Sequence, residues 1–173
     1  MASHPARRLR PLLLLALAAC LPLAAADDKP MLGWVEEISL EPWHVLAKAK
    51  LDTGAKTSAL GATAIERFER DGRPWVRFRV ARDHADPEGG TVLIEKPVEK
   101  HTRIKLRGSS KAADRPTVRL EFCLAGKRYD ALFSLTDRSK FIYPVLLGRR
   151  FLAPVATIDP GHTLTSEPDC PAS

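Results

Sequence analysis

Val45-Leu46-Ala47-Lys48-Ala49-Lys50-Leu51-Asp52-Thr53-Gly54-Ala55 is the stretch on which the reading of this chain turns. Apolar and polar residues alternate up to Leu51, the period of a half-buried strand. Such a strand, ending in a carboxylate, a small hydroxyl and a glycine, can present the carboxylate to a cleft while backbone N–H groups close around it. A second signal stands nearly a hundred residues on, where the apolar run Val145-Leu146-Leu147 ends in Gly148-Arg149.

Working outward, residues 32–40 read as a first strand, broken at Glu41-Pro42-Trp43-His44 because proline cannot donate to a central ladder. Beyond Ala55, residues 56–60 leave the loop, and 62–69 suit a strand or a short helix. Residues 75–98 read as a hairpin able to fold over a cleft, Val76, Phe78 and Val80 alternating with Arg77 and Arg79. Residues 99–116 are polar and basic, with Arg107-Gly108-Ser109-Ser110-Lys111 expected as a turn or mobile loop. Two further strands, 117–124 and 128–136, flank Ala125-Gly126-Lys127; 141–147 follows as a buried strand, a short helix begins near Gly148, and 155–159 closes the chain. Many short strands with little helix predict an all-β fold, a closed barrel with one short helix.

The 173 residues allow one domain. Residues 1–26 have the parts of an export signal: basic Arg7-Arg8-Leu9-Arg10, an apolar run, then Ala24-Ala25-Ala26. Leu17-Ala18-Ala19-Cys20 also fits a lipoprotein signal, with cleavage before a lipid-bearing Cys20. The mature domain is then 27–173, expected in the periplasm and on a membrane only if Cys20 is lipidated. The formal charge of +6 includes Arg7, Arg8 and Arg10; without residues 1–26 the balance is 24 basic to 21 acidic residues, +3. With few aromatics and no basic run interleaved with stacking rings, nucleic acid is not an expected partner. Cys123 and Cys170 sit in a compartment where disulfides persist, so a bridge between them and two free thiols, Cys123 buried, both stay open.

The Asp52-Thr53-Gly54 loop with Leu146-Leu147-Gly148 behind it resembles the retropepsin-like aspartic peptidases. More closely, Asp52-Thr53-Gly54-Ala55-Lys56-Thr57-Ser58-Ala59-Leu60, Leu135-Thr136-Asp137-Arg138 and Leu147-Gly148-Arg149 are similar to the bacterial and archaeal branch often labelled ATP-dependent zinc proteases, over about residues 32–160. The resemblance implies an acid-protease barrel and hydrolysis of peptide or protein substrates, with Asp52 as the catalytic acid. Thr53 would bond across a dimer axis, Gly54 would offer its N–H to the carboxylate, and Ala55 would keep the cleft floor low.

Aspartic peptidases need two facing carboxylates that share one proton, one activating water and the other protonating or polarising the scissile carbonyl. Here one Asp-Thr-Gly occurs; Asp159-Pro160-Gly161 lacks the amide donor that should face the carboxylate. An isologous homodimer supplies the missing acid by symmetry. Asp137 is a weaker candidate second acid, since a turn aspartate is usually solvated. Retroviral enzymes carry an acidic residue after the motif that pairs with the arginine of Gly-Arg; Lys56 stands there, so Arg149 needs another partner. His44, His84, His101 and His162 are scattered, and neither a His-Glu-x-x-His pair nor a phosphate-binding Gly-x-x-x-x-Gly-Lys occurs, so no cofactor and no metal is expected. The rival reading keeps the fold without the chemistry, as a periplasmic peptide-binding or scaffold module; metal-assisted hydrolysis is a third.

Overall fold

The computed structural model describes residues 29–84, 86, 89–105 and 112–171. The export or lipoprotein signal with Cys20, and the 107–111 turn, lie outside the described residues. The elements are β1 (Met31–Gly33), β2 (Val35–Glu41), β3 (Val45–Asp52), β4 (Ser58–Gly61), β5 (Thr63–Arg70), β6 (Arg73–Ala81), β7 (Thr91–Pro97), β8 (Lys100–Lys105), β9 (Ala112–Leu124), β10 (Lys127–Thr136), β11 (Val145–Gly148), α1 (Arg149–Val155) and β12 (Thr157–Asp159). Among the described residues no helix is long and apolar enough to cross a membrane.

Strands β10, β4, β11, β3, β2 and β9 neighbour one another in that order, and the β9–β10 hairpin closes the ring into a six-stranded barrel. The expected all-β closed barrel with one short helix is what the chain forms. Period-two patterning explains the core: Ala47, Ala49 and Leu51 of β3 point inward with Ile38 and Leu40 of β2, Val118, Leu120 and Phe122 of β9, and Phe133 and Leu135 of β10. The opposite face of β3 carries Leu46, Lys48, Lys50 and Asp52, none of them buried. Strand β11 inserts between β3 and β4, parallel to the first and antiparallel to the second, which sets Leu147 beside Leu51 and Gly148 beside Asp52.

Of the two alternatives for residues 62–69 the chain takes the strand, because β5 pairs along β6. Two expectations need correction. The 75–98 hairpin is the inner part of a three-stranded sheet, β5-β6-β7, whose Val76, Phe78, Val80, Val92 and Ile94 are buried in the main core; a sheet so anchored does not lift as a cover. The hairpin that does leave the barrel lies in 99–116, where polar and basic composition predicts no strand. There β8 pairs with β9 from Ala112 to Thr117, while the β10 pairing of β9 starts only at Thr117, so the first residues of β9 project past the ring. Polar composition hid this, since both faces of a projecting hairpin meet solvent.

Cys123 and Cys170 form a disulfide, their Cα atoms 5.9 Å apart. It ends a strap formed by the residues after β12. The Trp34 N–H donates to His162 O at 3.0 Å and the Leu164 N–H to Val35 O at 2.7 Å. The buried Glu36 carboxylate then accepts from the amides of Gly33, Thr165 and Ser166 and from both the Thr165 and Ser166 hydroxyls.

Candidate active site

Asp52 is the last residue of β3, where the chain leaves the barrel and turns back to β4. Its Oδ1 accepts from the Gly54 N–H at 3.0 Å and the Ala55 N–H at 3.1 Å. A third bond, Ala55 N–H to Asp52 O at 3.2 Å, tightens the turn. At Gly54 an added Cβ would stand 3.2 Å from that same Oδ1 and crowd the carboxylate. Thr53 and Gly54 are exposed at the tip, Asp52 and Ala55 half-buried.

The other carboxylate oxygen, Oδ2, lies 3.2 Å from the Lys50 ammonium. Two residues apart on one strand, the two side chains share a face. Burial pushes the Asp52 carboxyl up, but the Lys50 hydrogen bond and charge, with the Ala55 and Gly54 amides, outweigh it and hold the group below its ordinary 3.8. A second cation acts on the site from the β10–β11 turn. Arg138 is buried, donates from Nε to Tyr143 O at 3.1 Å and lies 4.4 Å from the Phe141 ring centre. Burial and then the charge of Arg115 lower the Arg138 pKa, whereas the negative charge of Asp52 raises it.

The support behind the loop follows from β11. The Gly148 N–H donates to Ser58 Oγ at 3.1 Å, and the Ser134 hydroxyl donates to Ser58 O at 3.2 Å. Leu147 is buried, Leu146 half-buried. Arg149 has its partner in the loop itself: its backbone N–H donates to Ala55 O at 2.9 Å and its guanidinium to Gly54 O at 3.3 Å. The residue after Ala55 therefore has no need to be acidic. Asp52, Thr53, Gly54, Ala55 and the Leu146–Arg149 support thus come together. Asp137 does not join them: it is exposed, and its Oδ1 accepts from the Ser139 N–H at 2.8 Å in an ordinary aspartate turn. Among the described residues, no group of three or more His, Cys, Asp or Glu side chains is placed to hold a metal ion.

A family model described as "Retropepsin-like aspartic endopeptidase RimB" matches residues 31–168. The chain belongs to this RimB-like family. Its barrel is similar to that of a Legionella pneumophila protein of unknown function, with a TM-score of 0.67 and 32% identity over 80% of this chain and 98% of that one. Among curated proteins, the RimB-like chain is 28% identical over 152 residues to a "Probable alpha-L-glutamate ligase" of Shewanella pealeana, covering 80% of this chain and 30% of that protein. It is 34% identical over 113 residues to one so named from Desulfotalea psychrophila, covering 65% and 24%. The chain thus spans about a quarter to a third of the length of these relatives.

Lys50, Arg138 and Ser58 are the site residues that sequence reasoning passed over. Lys50 was within reach, since the alternation that aims Asp52 at the cleft aims Lys50 there too. Arg138 and Ser58 stand inside segments quoted for the family resemblance, but nothing local assigns them a role: Ser58 works through Gly148 and Ser134, and Arg138 through Tyr143 O and the charge of Asp52.

Proposed function

We propose that this RimB-like chain is an exported aspartic endopeptidase that works as a homodimer, two copies of Asp52 activating one water against a peptide carbonyl. The single observation that carries this reading is the Asp52 carboxylate, fixed through Oδ1 by the Gly54 and Ala55 amides at an exposed loop tip. Such a carboxylate is oriented before any partner arrives, and a twofold axis at the tip would set its copy opposite. With two like charges so close, the pair holds one proton: the ionised member takes a proton from water and the protonated member gives one to the scissile carbonyl. The Cys123–Cys170 disulfide favours an oxidising compartment, consistent with residues 1–26 acting as an export signal.

Peptides bearing carboxylates are the proposed substrates. Lys50, paired with Asp52, and Arg138, which feels the Asp52 charge, set positive charge near Asp52. The longer relatives are named probable alpha-L-glutamate ligases, and a hydrolase stretch within such proteins would meet glutamate-bearing chains.

The test is cleavage of a glutamate-containing peptide by the purified protein and by Asp52→Asn. Turnover should fall to background in the variant, with its fold and peptide affinity kept; undiminished cleavage would sink the proposal. The Lys50–Asp52 ion pair favours a second reading, a peptide-binding module in which Asp52 is structural. That reading expects peptide binding without cleavage by the unaltered chain.

A further inference from the structure

Both hydrogen-bonding directions of Asp52 Oδ1 are taken, one by the Gly54 N–H and one by the Ala55 N–H. A carboxylate oxygen has two lone-pair sites, so Oδ2 is the atom left to share a proton or hold water. Oδ2 is where the Lys50 ammonium sits, at 3.2 Å. An ammonium there opposes protonation of the very oxygen a proton-sharing pair needs. The Lys50 side chain is 41% exposed, on a flexible stem, and nothing else among the described residues binds its ammonium. It is free to swing to another anion.

We propose that Lys50 is a positioning residue that answers to substrate: in the free chain it holds Asp52 Oδ2, and a carboxylate on the bound peptide draws the ammonium away, freeing Oδ2 for the shared proton. This rests on Asp52 being half of a dyad. The exchange swaps one ion pair for another, and the proton taken up by the dyad comes from solvent. Two other charges near Asp52 lack this freedom. Arg138 is buried and bonded to Tyr143 O, and Arg149 is committed to Gly54 O. Acidic peptides would thereby be favoured twice, in binding and in setting the protonation state that cuts.

The experiment uses the full mature chain with Lys50→Met and Lys50→Arg, and two peptides that differ by one glutamate or glutamine near the cut. Loss of one partly exposed charge pair predicts that the Glu-over-Gln preference in kcat/KM falls about twofold to fivefold in Lys50→Met and is largely restored in Lys50→Arg. Carboxyl-carbon NMR follows Asp52 directly. Its titration midpoint should lie higher in Lys50→Met than in the unaltered chain, and tetra-D-glutamate, which is not cut, should raise the midpoint more in the unaltered chain than in Lys50→Met. An unchanged preference together with an unchanged midpoint overturns the inference while leaving the peptidase intact. If Asp52→Asn cleaves normally, the dyad reading fails and this one with it. If no peptide is cut at all, the NMR arm still decides whether Lys50 leaves Asp52 when an acidic peptide binds.

Discussion

At Gly148 a single methyl group has nowhere to go. An added Cβ would stand 2.6 Å from the Thr57 carbonyl carbon, 2.7 Å from its oxygen and 2.8 Å from its nitrogen. Those are backbone atoms, so relief requires moving the segment that leads from Asp52 into β4. Gly148→Ala should cost about 2 kcal/mol, read as a lower urea midpoint with an unchanged slope. The segment 146–148 was legible as a motif before any coordinates, but the reason for its glycine was not, since Thr57 is remote in sequence. Asp52 was legible because strand alternation and loop chemistry are both local. Arg138 was not: what it feels comes from Asp52 and Arg115 on other strands.

Among the elements, the strap after β12 depends most on one charged group. Glu36 is buried with five donors on its carboxylate. Burial pushes its pKa up, but the Thr165, Gly33 and Ser166 hydrogen bonds outweigh this and hold it below its ordinary 4.5. A carboxyl lowered in the folded state binds its proton more readily when unfolded. The stability it contributes is therefore fully present above about pH 4.5 and is lost as pH falls through the folded value. Urea unfolding across pH 3 to 7 should show this slope in the unaltered chain. Glu36→Gln should be about 2 kcal/mol less stable near neutrality and show a flatter acid limb. An equal slope in both would remove Glu36 as its source. The strap was not legible beforehand: residues 160–171 lack periodicity, and their order comes from partners more than a hundred positions earlier. By the same logic β8 and the start of β9 escaped notice, their pairing being with each other and not with a core.

For the whole molecule, the exposed tip at Thr53 and Gly54 and the solitary Asp-Thr-Gly point the same way. If two chains build one site, specific activity should fall on dilution below the dimer dissociation constant, and an excess of Asp52→Asn chains should inhibit by forming dimers with one carboxylate. Activity per chain that is constant across dilution, in a protein that sediments as a monomer, would count against a shared site. The barrel itself was readable from strand length and spacing. The strand order was not, because β11 threads between β3 and β4, a long-range choice that alternation does not encode.

Arg149 grips an amide oxygen, at Gly54, in the place where retroviral enzymes set arginine against an acid. A peptide oxygen takes up no proton across the range in which a carboxylate lets go. The brace of the loop is accordingly blind to acidification, and stays fastened under the sour conditions that suit paired carboxyl groups.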